Sequence, residues 1–106
     1  MNILENSSLK KFNTFGIEAS ARYFVEFSTS EEISEFIQER KFASTPQLIL
    51  GGGSNLLLTK NFDGIVLHNK LKGISVVNET PEHVFVKSAA GEIWHNFVLY
   101  CIQNNY

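Results

Sequence analysis

The sequence predicts a mixed α/β (α+β) protein, and three observations indicate this fold class. The stretch at 22–27 is rich in aromatic and β-branched residues, as strands are. Apolar residues from Ile33 onward recur at helical spacing, and a short apolar run at 47–50 follows as a buried strand. Hydrophobic residues make up 43% and charged residues 19% of the 106 residues, which is typical of a globular protein.

The first half of the chain is predicted to form a β–α–β unit after a polar, extended lead-in over residues 1–16. Thr29 and Glu32 have the spacing of a capping box, so a helix should begin there and run to about Lys41. One apolar stripe follows on that helix, formed by Ile33, Phe36 and Ile37. The crossover should be right-handed if the two strands are parallel neighbours.

In the second half, turn residues at 61–64 are predicted to lead into a strand at 65–68. Residues 69–73 are polar and form a candidate junction, and 74–78 with 83–88 are predicted to form a hairpin. A final helix should begin at about Glu92, with its apolar positions on one face: Trp94, Phe97, Val98, Cys101 and Ile102. Because nothing visible would cover this helix, we expect a sequence truncated after Tyr106; a natural small domain is the alternative.

Composition excludes several classes of function. The net charge of −2 and the dispersed basic residues argue against a nucleic-acid partner. Cys101 is the only cysteine, so no intramolecular disulfide is expected, and we expect a buried helix thiol. No secretory signal and no apolar run near the roughly 20 residues of a membrane span is present. We therefore expect a cytoplasmic protein with no membrane partner.

The segment hardest to explain by packing is the loop Gly51, Gly52, Gly53, Ser54 and Asn55, which directly follows the 47–50 strand. Glycine allows a ligand to approach the backbone closely, and successive N–H groups in such a loop can hold an anion. The Ser54 hydroxyl and the Asn55 amide could add donors. The loop is thus a candidate phosphate site, with a flexible turn as an equal alternative. Its spacing fits neither the Rossmann nor the Walker pattern.

No other segment carries a clear catalytic or metal pattern. The histidines, His68, His83 and His95, lack i, i+4 pairing and a cysteine partner, so no metal site is expected. The serines have no nucleophile-elbow context, and the carboxylates at 31–39 lie on a solvated helix face. The residues alone therefore lead to an α/β protein with a candidate phosphate loop.

Four segments, in order, resemble the UDP-N-acetylenolpyruvoylglucosamine reductase (MurB) family. They are LKKFNTFGI at 9–17, LILGGGSNLL at 48–57, DGIVL at 63–67 with KGI at 72–74, and AAGEIWH at 89–95. The third segment resembles that family's next strand and the step into its second flavin subdomain. Together the four cover nearly the whole chain, which is more specific than any one of them.

The resemblance implies a FAD-binding fold of the vanillyl-alcohol-oxidase (PCMH) type. Residues 1–70 would form the first FAD-binding subdomain, and 71–106 the truncated start of the second. By position, the loop at 51–55 would hold the FAD pyrophosphate mostly through backbone N–H groups, with less weight on the identity of Gly52 than on that of Gly51 or Gly53. For Asn13-Thr14-Phe15 the resemblance leaves two roles open, packing that positions the loop or ligand contact. Residues 89–94 are expected to form a structural strand-to-helix turn, with flavin contact as the alternative.

In the family, NADPH reduces FAD, and the flavin reduces the enolpyruvyl group of a UDP-sugar substrate in peptidoglycan synthesis. The family's catalytic serine, arginine and glutamate would lie past Tyr106, so no catalytic residue is assigned. We expect this chain alone to be inactive, to bind FAD weakly or not at all, and to self-associate through exposed apolar surface. The alternatives are another oxidase of the same fold and a stand-alone, non-enzymatic binding module.

Overall fold

A computed structural model describes residues 2–53 and 56–106, which form a four-stranded sheet, a β-hairpin and two helices. The strands are β1 (Leu4–Ser8), β2 (Ser20–Phe27), β3 (Gln47–Leu50), β4 (Phe62–Asn69), β5 (Ile74–Glu79) and β6 (Val84–Ser88). The helices are α1 (Ser30–Glu39) and α2 (Trp94–Gln103), and a 3₁₀ turn covers Lys10–Phe12. The mixed helix and strand content confirms the predicted α+β class.

The larger sheet has the order β1-β2-β4-β3, so β4 lies between the two strands of the predicted β–α–β unit. β2 and β3 both run parallel to β4, while β1 pairs antiparallel with β2. β2 and β3 are therefore parallel but not neighbours. A right-handed crossover was predicted only for parallel neighbours, so that prediction does not apply. The strand register aligns Glu26, His68 and Leu50 in one row across the three parallel strands.

Helix α1 begins as the capping pattern predicts. The backbone N–H of Glu32 donates to Thr29 Oγ1 at 3.2 Å, and the Thr29 N–H donates to Glu32 Oε1 at 3.1 Å. The helix ends at Glu39, slightly before the expected Lys41, because Arg40 adopts a left-handed conformation with φ 55°. Its apolar face packs on the sheet through Phe36, whose ring centroid lies 5.5 Å from that of Phe27.

The core lies on both faces of the larger sheet. On one face a cluster joins strand residues to residues from the 9–19 and 56–58 segments: Leu9, Ala19, Ala21, Phe24, Leu50, Leu58 and Val66. On the other face a second cluster involves α1 and the segment after it: Val25, Phe27, Phe36, Phe42 and Ile65. The short strand β3 has the predicted bounds, and Leu48 and Leu50 pack into the first cluster. The expectation of a buried strand is wrong, because only Leu50 is buried and Ile49 is 74% exposed.

Two expectations for the larger sheet are wrong. Residues 1–16 are not simply an extended lead-in, because β1 pairs with β2 from Leu4 to Ser8. This edge strand is largely exposed, so it carries no apolar alternation that could reveal it. The turn expected at 61–64 is also mostly strand: β4 begins at Phe62, which pairs with Ala21.

The predicted hairpin is confirmed, with β5 and β6 antiparallel from Ile74 to Ser88. Helix α2 begins at Trp94, two residues after the expected start, and none of its residues is buried. Cys101 is therefore only partly buried, which corrects the expectation of a buried thiol. Within the described part of the chain, neither helix is long and apolar enough to cross a membrane.

Candidate functional site

The glycine loop lies at the carboxyl edge of the larger sheet. Gly51 directly follows β3, whose last residue, Leu50, pairs with His68 near the carboxyl end of β4. In open sheets with parallel strands, ligands bind beyond the carboxyl ends of the strands. The structure thus locates Gly51, Gly52 and Gly53 where a ligand site is expected, while the predicted site residues Ser54 and Asn55 lie outside the described residues.

The three described glycines differ in how strictly the surrounding structure requires them. Gly53 has φ +74°, and a Cβ there would overlap the carbonyl oxygen of Phe12. Only glycine fits such a position without strain. A Cβ on Gly52 would meet nothing within 4 Å, and one on Gly51 would make an ordinary contact with the Ala90 carbonyl oxygen at 3.9 Å. The identity of Gly52 is therefore the least constrained by packing.

The loop presents backbone donors. Among residues 2–53 and 56–106, none accepts a hydrogen bond from the N–H groups of Gly51, Gly52 or Gly53. Successive backbone N–H groups in a turn that includes a left-handed residue can surround an anion. Chemically, the N–H groups of these three glycines can bind a phosphate group, and the three described residues carry no acid, base or nucleophile.

Asn13 is the one buried polar residue among the described residues, with 7% of its surface exposed. Its Nδ2 donates to the carbonyl oxygens of Leu9 at 2.8 Å and Ile17 at 3.1 Å. Its Oδ1 accepts from the Ile17 N–H at 3.0 Å. These three bonds close the 9–17 segment into a compact loop.

The same segment touches the glycine loop. The Thr14 N–H donates to the Gly53 carbonyl oxygen at 3.2 Å, while the Phe12 carbonyl lies against the Gly53 Cα. The side chain of Phe15 is mostly exposed. Sequence reasoning left the role of this segment open, because no local pattern reveals a partner so distant in the chain.

A charged cluster, which sequence reasoning missed, lies at the same edge of the sheet. Glu26 Oε1 lies 3.2 Å from His68 Nδ1, and Lys70 Nζ donates to Glu26 Oε2 at 3.3 Å. The His68 ring also packs against Phe12 and Phe24, with centroids 5.2 and 5.8 Å apart. Burial raises the pKa of Glu26, but the hydrogen bonds and charges of His68 and Lys70 outweigh it and lower the pKa below its ordinary value.

The chain turns between the end of β6 at Ser88 and the start of α2 at Trp94, where a strand-to-helix turn was predicted. Lys72 Nζ donates to the Gly91 carbonyl oxygen at 2.7 Å, and the Ala89 N–H donates to the Gly73 carbonyl oxygen at 2.8 Å. A Cβ on Gly91 would overlap the backbone of Leu71, so glycine allows the turn to pack closely on the 70–73 segment.

A cleft elsewhere on the larger sheet does not coincide with the loop. It has a volume of about 660 Å³ and lies beside β1, with the carboxylates of Glu26 and Glu32 in its lining. None of Gly51, Gly52 and Gly53 lines it. Its lining includes Lys11 as well as the two carboxylates, which leaves a negative charge that disfavours a phosphate ligand there. In the described ranges, no group of three or more His, Cys, Asp or Glu side chains could hold a metal ion.

Comparisons with known proteins identify one sequence family and several named relatives. A sequence family described as "FAD binding domain" matches residues 21–106. The UDP-N-acetylenolpyruvoylglucosamine reductase of Flavobacterium johnsoniae is 48% identical over 106 residues, which is 100% of this chain and 31% of that relative.

Two further relatives carry the same name. The protein from Amoebophilus asiaticus is 40% identical over 106 residues, covering 100% of this chain and 31% of the relative. A protein from Bacteroides fragilis is 42% identical over 99 residues, covering 93% of this chain and 30% of the relative. The chain thus spans 30–31% of the length of these curated relatives.

Proposed function

We propose a function from one premise: this chain belongs to the FAD binding domain family and corresponds to the amino-terminal FAD-binding part of the UDP-N-acetylenolpyruvoylglucosamine reductases. The loop at 51–55 holds the pyrophosphate of FAD through backbone N–H groups. The observation that carries this proposal is the set of N–H groups of Gly51, Gly52 and Gly53, which have no acceptor among the described residues and lie at the carboxyl edge of the sheet.

The residues present fit a diphosphate. Its oxygens are acceptors only, and the N–H groups of Gly51, Gly52 and Gly53 are donors with no acceptor among the described residues. The Ser54 hydroxyl and the Asn55 amide add donors on sequence grounds. Within this loop, position 52 is the one that could accept a larger residue, because a Cβ there meets open space.

The loop alone provides limited affinity. A hydrogen bond to a charged group contributes about 1.5–3 kcal/mol net, whereas ordering a large flexible ligand costs several kcal/mol. The relatives are about three times as long as this chain, and further binding surface lies in a protein of that length. The 106-residue chain therefore binds FAD weakly, and residues 1–70 and 71–106 act as two parts of one FAD-binding region.

For the whole protein we propose the activity that the relatives' name describes. When bound, FAD supplies hydride transfer from NADPH to the enolpyruvyl double bond of the UDP-sugar substrate, a cytoplasmic step of peptidoglycan synthesis. This chain's own residues bind and orient the diphosphate end of the cofactor. None of them is assigned to the chemical step, so the chain alone should not oxidise NADPH when the UDP sugar is added.

A ligand titration of the 106-residue chain tests the proposed site. FAD and ADP contain a diphosphate, AMP contains one phosphate, and riboflavin contains none. We expect FAD and ADP to shift the NMR amide signals of Gly51, Gly52 and Gly53, AMP to shift them less, and riboflavin to leave them unchanged. Equal shifts by riboflavin, or no shift at millimolar FAD and ADP, would overturn the proposal.

A further inference from the structure

We infer that Asn13 is a positioning residue for the glycine loop: it fixes the backbone segment that holds Gly53 and does not itself contact a ligand. The inference rests on the proposed function, since it concerns how the proposed diphosphate loop is held. It also resolves the two roles that the sequence left open for the Asn13-Thr14-Phe15 element.

The hydrogen-bonding capacity of Asn13 excludes direct donation to a phosphate. A carboxamide has two N–H donors, and both are used by the carbonyl oxygens of Leu9 and Ile17. The remaining group, Oδ1, is an acceptor that already receives the Ile17 N–H. A phosphate offers acceptors only, so Asn13 has nothing left with which to bind it. Its burial also keeps it from the loop surface.

The segment that Asn13 closes holds Gly53 from two directions. On one side, the Thr14 N–H donates to the Gly53 carbonyl oxygen at 3.2 Å. On the other, the Phe12 carbonyl lies so close to the Gly53 Cα that no side chain would fit between them. Phe12 and Thr14 are the immediate neighbours of Asn13, so the Asn13 bonds to Leu9 and Ile17 fix the position of both contacts.

This arrangement matters because three consecutive glycines are the most freely rotating backbone a protein can use. Binding to a disordered loop would require the ligand to order it, which weakens affinity. Holding the Gly53 carbonyl restricts the loop before any ligand arrives. Asn13 therefore acts on affinity through the loop's conformation.

Two variants separate the steps of this inference in the 106-residue chain. Asn13→Asp keeps the Oδ1 acceptor for Ile17 but loses both donors. Thr14→Pro breaks the contact with Gly53, because it removes the donor and places a ring carbon against the Gly53 carbonyl oxygen. Asn13 already has the extended conformation, φ −135° and ψ 143°, that a following proline requires. Phe36→Leu, in the core on the other face of the sheet, serves as a control for lost stability alone.

We expect both test variants to weaken ADP binding roughly tenfold, as the loss of one or two ordering hydrogen bonds would. We also expect shifted Gly53 amide signals in both and roughly tenfold faster hydrogen exchange of the Thr14 amide in Asn13→Asp. The Phe36→Leu control should bind ADP as the parent chain does. Thr14→Pro leaves the Asn13 bonds intact, so it decides the matter if Asn13→Asp does not fold.

The outcomes distinguish this inference from the proposed function. If the parent chain binds ADP and Thr14→Pro binds it equally well, the positioning role is overturned and the diphosphate loop stands. If the parent chain binds no ADP, the proposed function fails. The inference is then decided by the hydrogen-exchange rate of the Thr14 amide and the NMR amide signals of Gly53. If neither changes in Asn13→Asp, the inference is overturned.

Discussion

Thr14 donates its backbone N–H to the carbonyl oxygen of Gly53 at 3.2 Å, which joins the amino-terminal segment to the loop after β3. Neither residue lies in a strand or helix, so this bond is separate from the sheet's own ladder. The conformation of the candidate site therefore depends on a segment far from it in sequence, and changes on either side of the bond should alter both stability and binding.

Gly53→Ala should be the most damaging single change in the loop. The added Cβ would overlap the Phe12 carbonyl oxygen, and φ +74° is unfavourable for alanine. We expect a loss of roughly 1–3 kcal/mol in the free energy of unfolding, measured by urea denaturation, together with lost ADP binding.

Gly52→Ala is the matched control for that experiment, because a Cβ at position 52 meets nothing within 4 Å. It should change the unfolding free energy by less than about 0.5 kcal/mol. Equal destabilisation by the two substitutions would contradict the structure's account of the loop.

The capping box of α1 should contribute measurably to stability. Thr29→Ala removes the acceptor for the Glu32 N–H, and we expect a loss of about 1 kcal/mol in urea denaturation. Thr29→Ser keeps a hydroxyl at the same position and should retain most of the stability. If the serine variant lost as much as the alanine variant, the effect would not come from the hydrogen bond.

Local signals predicted the parts of the fold that local interactions determine. The capping residues Thr29 and Glu32 located the start of α1, and the short apolar run at 47–50 located β3. The left-handed Arg40 that ends α1 carries no such signal, since arginine has no preference for that conformation. The glycine loop could be named as a candidate because its composition is unusual in a packed protein.

Features that depend on pairing across the chain could not be predicted. β1 is an exposed edge strand defined only by its register with β2, and His68 meets Glu26 only because β2 and β4 are neighbours. For the same reason, the contact of Thr14 with Gly53 has no local pattern. The sequence contains both residues of each pair, but it does not indicate which residues contact each other in the fold.

The carboxylate of Glu26 should make stability dependent on pH in the acid range. Its pKa is lowered in the folded chain, so the folded state favours the charged form. The resulting stabilisation is fully present above the unfolded-state pKa, about 4.3, and is lost as pH falls through the lower folded-state pKa. Urea denaturation between pH 3 and 7 should show a smaller acid-induced loss in Glu26→Gln than in the parent chain.

Glu35→Gln is the control for that pH series, because it removes one exposed carboxylate of the same type on α1. The comparison isolates the interactions of Glu26 with His68 and Lys70 from the general effect of reduced negative charge. If the unfolding free energy of the parent chain and that of Glu26→Gln fell equally between pH 7 and 3, this cluster would contribute nothing to the pH dependence.

Helix α2 should cause the 106-residue chain to self-associate. Trp94 is 74% exposed and Ile102 is 62% exposed, and no residue of the helix is buried. Exposed apolar residues on one element favour association because contact removes them from water. We expect sedimentation velocity to show a sedimentation coefficient that rises with concentration, and Trp94→Gln combined with Ile102→Gln to reduce that rise.

Ile37→Gln, which removes an exposed apolar side chain from α1, is the control and should leave the rise of the sedimentation coefficient unchanged. A parent chain that sediments as a monomer at every concentration would show that these side chains do not drive association.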